Sequence, residues 1–171
     1  MEEIDLGEKI NNTTVSFSLS PELWGAFDTN QFDLSAITFN EIKFLNDSND
    51  DLHPDMGNIP NDKGGIYFFY IRSIIVPNTY FLVYIGRAWY TEYQNLRKRV
   101  RSYFQKYPNE RPKINRMIRY WGPYLYIRYI EMTDNDIIND LEERLINSNI
   151  PPFNDKIPDK RIKDAVSAFN L

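Results

Sequence analysis

Residues 64–88, GGIYFFYIRSIIVPNTYFLVYIGRA, hold two β-branched and aromatic runs, Gly65 to Val76 and Tyr80 to Ile85, separated by Pro77-Asn78-Thr79. Such runs suit a half-buried pleated surface, and the Pro-Asn turn between them predicts an antiparallel hairpin. Within it, Gly65-Ile66-Tyr67 is followed seventeen residues later by Tyr84-Ile85-Gly86. Each tyrosine lies beside a glycine, and a strand glycine marks a place where another backbone or a ligand comes close.

Outward from the hairpin, the apolar period changes from strand to helix and back. Gln94 to Lys106 and Arg111 to Tyr120 read as helices, and Gly122-Pro123 precedes a third strand, Tyr124 to Met132. Thr133 to Ser148 is a helix with Thr133 or Asp134 as cap and an acidic first turn. Lys160 to Phe169 closes the chain as a short amphipathic helix, with Ile162, Ala165, Val166 and Phe169 on one side. Toward the start, Thr13 to Leu19 alternates as a strand would, Ser20-Pro21-Glu22 carries a helix-start signature, and Ile37 to Leu45 is a second strand candidate. The polar stretch Asn46 to Lys63 divides residues 1–62, an acidic elaboration, from residues 63–171, the domain proper. The order implies an α+β fold: a small three-stranded antiparallel sheet flanked by helices.

The net charge of −4 conceals two blocks of opposite sign. Residues 1–62 hold thirteen acidic against two basic side chains, a balance of −11. Residues 84–128 hold eleven basic against two acidic, a balance of +9. Two helices and their connection sharing one sign point to a phosphate-bearing partner such as DNA. The chain has no cysteine and a single histidine, His53, so thiolate zinc sites, cysteine nucleophiles, histidine triads and HExxH zinc sites are excluded. No apolar run reaches membrane-spanning length and the start, Met1-Glu2-Glu3, is unlike a signal peptide, so a cytoplasmic protein that meets no membrane is expected.

Two charged residues lie where apolar ones belong. In Asn95 to Phe104, at about 100° per residue, Leu96, Val100, Tyr103 and Phe104 define the buried side, with Arg97, Lys98 and Arg101 opposite. Arg99 falls at the flank of the apolar stripe, where a guanidinium is costly unless it meets an anion. In the helix from Asp134, Ile137, Ile138, Leu141 and Leu145 share a half-turn with Ile146 at its edge. Glu142 falls inside that arc and Glu143 outside it, so the two carboxylates cannot act as a glycosidase dyad. In the second helix, Lys113, Arg116 and Arg119 oppose Ile114, Met117, Ile118 and Trp121.

Taken in order, Gly65-Ile66-Tyr67, Tyr84-Ile85-Gly86, Arg99, Glu142 and Phe153-Asn154 after a double proline resemble the GIY-YIG nuclease family over roughly Gly64 to Asp155. The run Leu96 to Phe104 is most similar to the nuclease part of the incision protein of bacterial nucleotide-excision repair, where the matching arginine and tyrosine belong to the active site. The resemblance implies a metal-dependent endonuclease that hydrolyses DNA phosphodiesters, with Mg²⁺ (or Mn²⁺) on Glu142. It implies that Arg99 contacts the scissile phosphate and that Tyr67 is general base or orients the attacking water. Tyr84 and Tyr103 would complete the water network, and Asn154 would orient groups near the metal. Arg87, Arg97, Lys98, Arg101, Lys113, Arg116 and Arg119 are the candidate nucleic-acid contacts.

One metal centre cuts one strand, so double-strand cleavage calls for a homodimer or two successive nicks. The acidic N-terminal region is the candidate surface for a protein partner. The short chain favours restriction, phage-defence or mobile-element roles within the family. The alternative reading is a non-cleaving nucleic-acid-binding or partner-recruited module that keeps the fold.

Overall fold

The computed structural model describes residues 2–35, 40–105 and 111–168. The hairpin consists of β2 (Gly64–Arg72) and β3 (Tyr80–Ala88), paired antiparallel with Tyr67 opposite Gly86 and Phe69 opposite Tyr84. β2 stops at Arg72 and not at Val76. The Ser73 hydroxyl accepts the backbone N–H groups of Ile75 and Val76, turning the chain out of the ladder and leaving Ile74, Ile75 and Val76 exposed. Asn78 closes the turn in the left-handed region, at φ 58°, which asparagine tolerates better than most residues.

The sheet has four strands, where three were expected. β4 (Leu125–Met132) pairs with the other side of β2, and β1 (Glu41–Lys43) pairs with β4, giving the open antiparallel order β1-β4-β2-β3. The added strand comes from the acidic segment. Ile42 is buried opposite Ile127, and the Glu41 carboxylate accepts the Arg128 guanidinium of the neighbouring strand at 2.8 Å. Phe44, Leu45, Met56 and Ile59 also enter the main core, so residues 41–59 share sheet and core with the hairpin and β4. Residues 37–39 of the expected second strand lie outside the described residues.

Residues 13–19 form no strand. Thr13 ends the helix α1 (Glu2–Thr13), and residues 14–20 have no regular structure. Their alternation finds no ladder: Leu19 is 68% exposed, and Phe17 merely leans on Phe81 with ring centroids 5.7 Å apart. Ser20 precedes the single-turn helix α2 (Pro21–Gly25), as its sequence signature predicts.

Strand alternation sorts the side chains into two layers. Tyr67, Phe69, Ile71, Tyr84, Ile127 and Tyr129 face one side, covered by α3 (Leu96–Arg101), its 3₁₀ continuation Ser102–Phe104, and α4 (Pro112–Trp121). Ile66, Phe68 and Ile85 face the other, covered by α5 (Asn135–Asn149) through Ile138, Leu141, Leu145 and Ile146. Ile137, expected on that apolar face, is 42% exposed. The Asp134 carboxylate caps α5 by accepting from the Asp136 and Ile137 N–H groups, as a helix start requires. Beyond Ile150 (φ 43°) the chain turns back and lays residues 151–154 along β3, the sheet edge. α6 (Lys160–Ala168) has no buried residue; Ile162 and Val166 are half-buried, and Phe169 lies outside the described residues. Among the described residues no helix is long and apolar enough to cross a membrane.

Candidate active site

Tyr67 stands at the centre of the first layer, wholly buried. The hydroxyl end of its ring packs on Gly86 across the hairpin: a Cβ on Gly86 would fall 2.7 Å from the ring Cε2. The glycine of the second triplet therefore makes room for the tyrosine of the first. The Tyr67 hydroxyl is 2.6 Å from the Tyr103 hydroxyl, and Tyr103 donates in turn to the Tyr84 hydroxyl at 3.0 Å. Three phenols from two strands and the 3₁₀ turn after α3 thus form one hydrogen-bonded chain, with the rings in tilted and edge-on contact.

Arg99 reaches this cluster from α3. Asn95 caps that helix by accepting the Lys98 N–H, and Leu96 and Val100 pack inward, so the flank carrying Arg99 tilts over Tyr103, with 5.6 Å from guanidinium carbon to ring centroid. Burial lowers the Arg99 pKa, but the neighbouring phenols of Tyr67, Tyr103 and Tyr84 outweigh it and hold the pKa above the usual guanidinium range. Arg99 is charged at any attainable pH.

The phenols are pushed the other way. Burial, followed by the Tyr103 and Tyr84 phenols, raises Tyr67 well above the ordinary phenol value, and Arg99 offsets only part of it. Burial and Tyr103 raise Tyr84 likewise, against Arg111 and Arg99. The base role expected for Tyr67 needs a lowered pKa; burial and the neighbouring phenols move it the other way, which favours the other expected role, a neutral hydroxyl that orients water.

Stability should respond at alkaline pH. Folded pKa values raised above the unfolded value of about 10 stabilise the fold fully below about pH 10, and that contribution is lost as pH climbs toward the folded values. Tyr67→Phe removes one such group, so its denaturation midpoint should fall less than the wild type's between about pH 9 and about pH 11. Parallel pH profiles for the two proteins would contradict this assignment.

Glu142 lies in the second layer. Its side chain is 13% exposed on α5, while Glu143 is exposed and accepts from Asn139. The Glu142 carboxylate is gripped through Oε2 by Nη1 of Arg87, whose guanidinium also stacks 4.5 Å from the Trp89 ring centroid. Arg87 sits opposite Ile66 and not opposite the phenols, because successive residues of β3 point to opposite faces. The expected candidates therefore fall into two groups on the two sides of the edge strand: Tyr67, Tyr84, Tyr103 and Arg99 on one, Arg87 and Glu142 on the other. Arg87, expected to contact phosphate, is engaged by Glu142.

Asn154, in the irregular segment after α5, is bonded to β3 between the groups. Its Oδ1 accepts the Ile85 N–H at 3.0 Å and its Nδ2 donates to the Ile85 carbonyl at 2.8 Å, so the amide stands in for a further strand. It fixes Tyr84-Ile85-Gly86 in place with one bond from each end of its amide. Lys113 donates to the Asn154 carbonyl at 2.9 Å and adds a tie from α4.

The basic face is partly consumed by the protein itself. Arg97 donates through Nε to the Ile59 carbonyl at 2.6 Å, which anchors the 54–63 connection. Arg116 donates to the backbone carbonyls of Asn11, Asn12 and Thr14, at 2.9–3.2 Å, and so holds the C-terminal end of α1. Lys98, Arg101 and Arg119 remain exposed. Arg111, part of the basic stretch but not among the expected contacts, directs Nη2 at the Tyr84 and Tyr103 hydroxyls, at 3.4 and 3.5 Å. Sequence carries no signal for this beyond charge, since the position depends on how the chain returns after α3.

Among the described residues no three His, Cys, Asp or Glu side chains are grouped as a metal cage. A single carboxylate suits a hard cation that keeps most of its waters, as Mg²⁺ does. Glu142 fits that description, on condition that Arg87 shares or releases its oxygen. Comparisons with family models, curated proteins and solved structures return no match.

Proposed function

We propose that this chain is a divalent-metal-dependent DNA endonuclease of the GIY-YIG type. The carrying observation is the convergence of Tyr67, Tyr84 and Tyr103 with the Arg99 guanidinium over Gly86. Three neutral hydroxyls and a fixed positive charge, brought together from distant parts of the chain, are what a phosphodiester and an attacking water need beside them. Arg99 is the planar donor for the non-bridging oxygens, where negative charge grows as the water attacks. The phenol chain orients that water through neutral hydroxyls. Glu142 is the residue that would hold Mg²⁺ or Mn²⁺, which supplies Lewis-acid polarisation of the phosphate and help to the leaving oxygen. A DNA strand lying along the rim of β3 at Gly86 and Arg87 would have Arg99 on one side and Glu142 on the other.

The test is supercoiled plasmid with Mg²⁺, with Mn²⁺, and with chelator. Open-circular product in the presence of metal alone is expected. A second reading, a nucleic-acid-binding module that does not cut, is favoured by one observation: Arg87 occupies the carboxylate that the metal requires. DNA binding with no nicking under either metal would decide for it.

A further inference from the structure

Arg99 is not the only cation at the phenols. The Arg111 guanidinium carbon lies 5.0 Å from the Tyr103 ring centroid and the Arg99 carbon 5.6 Å from the same centroid. Arg111 comes from the position just before α4, while Arg99 comes from α3, so two separate helices deliver like charges to one ring. Neither arginine takes part in a salt bridge with a carboxylate among the described residues. The Arg111 hydrogen bonds to Tyr84 and Tyr103, at 3.4 and 3.5 Å, are at the long limit for this donor. Two guanidiniums facing one neutral cluster repel each other, and an anion between them would turn that cost into attraction. Both are half-exposed, so such an anion can enter from solvent.

We propose that Arg111 is a second phosphate-holding residue, and that Arg99 and Arg111 together grip one phosphoryl group above the Tyr67–Tyr103–Tyr84 chain. A phosphodiester offers two non-bridging oxygens, one for each guanidinium, and the Tyr84 hydroxyl, which accepts from Tyr103 and keeps its own hydrogen, is a further donor. The clamp deepens the nuclease reading and rests on it for its substrate, but its affinity for phosphate can be measured without cleavage.

Inorganic phosphate is titrated by calorimetry into the wild type, Arg111→Ala, Arg111→Lys and Arg99→Ala, each with its melting temperature recorded, and plasmid nicking is assayed in parallel. Each alanine variant should bind phosphate at least about tenfold more weakly while its melting temperature falls by no more than about 4 °C, with part of the affinity loss recovered by Arg111→Lys. A residue that only packs on Tyr103 would shift the melting temperature and leave phosphate affinity alone, which overturns the proposal. So does a wild type with no phosphate affinity, or an Arg111→Ala protein that binds as the wild type does. Loss of phosphate binding in Arg111→Ala with no nicking by the wild type upholds the clamp and removes the nuclease. Nicking by both proteins with equal phosphate affinity removes the clamp and keeps the nuclease.

Discussion

Arg99→Ala should reduce metal-dependent nicking by about 10³-fold while the protein still folds. The guanidinium lies half-buried over Tyr103 and beside the Tyr67 hydroxyl, on the layer that holds the phenol chain. Fixed donors aimed at developing charge owe their effect to being held in place before the reaction begins, and α3 holds this one through its cap and two buried apolar residues. The structural cost of removal is small. Tyr67 keeps its 2.6 Å hydrogen bond to Tyr103, so no buried hydroxyl is orphaned, and the cation–π contact is worth about 0.5–1 kcal/mol. Arg99→Lys keeps the charge without the planar fork and should fall between the two. Nicking rates measured beside circular dichroism melts separate a chemical defect from a folding one. An Arg99→Ala protein that nicks at the wild-type rate would remove Arg99 from the chemistry.

The parts of this site that can be read in sequence are those set by local periodicity. Alternation in β2 and β3 puts Tyr67 and Tyr84 on one face, and the helical period tips Arg99 toward that face and Glu142 into the apolar side of α5. Partners cannot be read the same way. The sequence points Arg87 at a phosphate, although strand parity already separates it from Tyr84 and Gly86; what it meets there, Glu142, depends on how α5 docks. Wheel position alone assigns Arg97 and Arg116 to DNA, and both find backbone carbonyls of distant segments instead. β1 falls inside the strand candidate Ile37 to Leu45, but its three residues are too few to show which strand it joins, so its pairing with β4 as a fourth strand is not legible in the sequence. Asn154 stands out by resemblance, and its bonds to Ile85, an amide completing the edge of β3, depend on how the chain returns after α5.

Those bonds show how the two layers are tied together. β3 carries Tyr84 toward the phenols and Arg87 toward α5, so any shift of this edge strand displaces both groups at once. Its outer side is held at Val83 by the Phe153 N–H and at Ile85 by Asn154. Its inner side is held by β2, and β2 in turn by β4. The geometry of the site is therefore only as firm as the central strand.

Gly65→Ala strikes that strand directly and should cost more than about 4 kcal/mol. Gly65 has φ 143°, a conformation L residues rarely adopt, with a penalty of about 1–3 kcal/mol for a residue with a side chain. A Cβ there would also overlap the Ile130 carbonyl oxygen and lie 3.0 Å from its carbon and 3.3 Å from Leu96 Cδ1. Leu96 can shift. The carbonyl cannot, because β2 is hydrogen-bonded on both sides and retreat from β4 would break ladder bonds worth about 1 kcal/mol each. For a domain of this size, the loss corresponds to a melting temperature lower by about 8–16 °C, or to failure to accumulate folded protein. Gly57→Ala is the matched control: nothing lies within 4 Å of a Cβ at that position, and the change should stay within about 0.5 kcal/mol. Equal melting temperatures for the two variants would mean that the Gly65 backbone relaxes freely. The placement of Tyr67, two residues along the same strand, would then lose its rigid support.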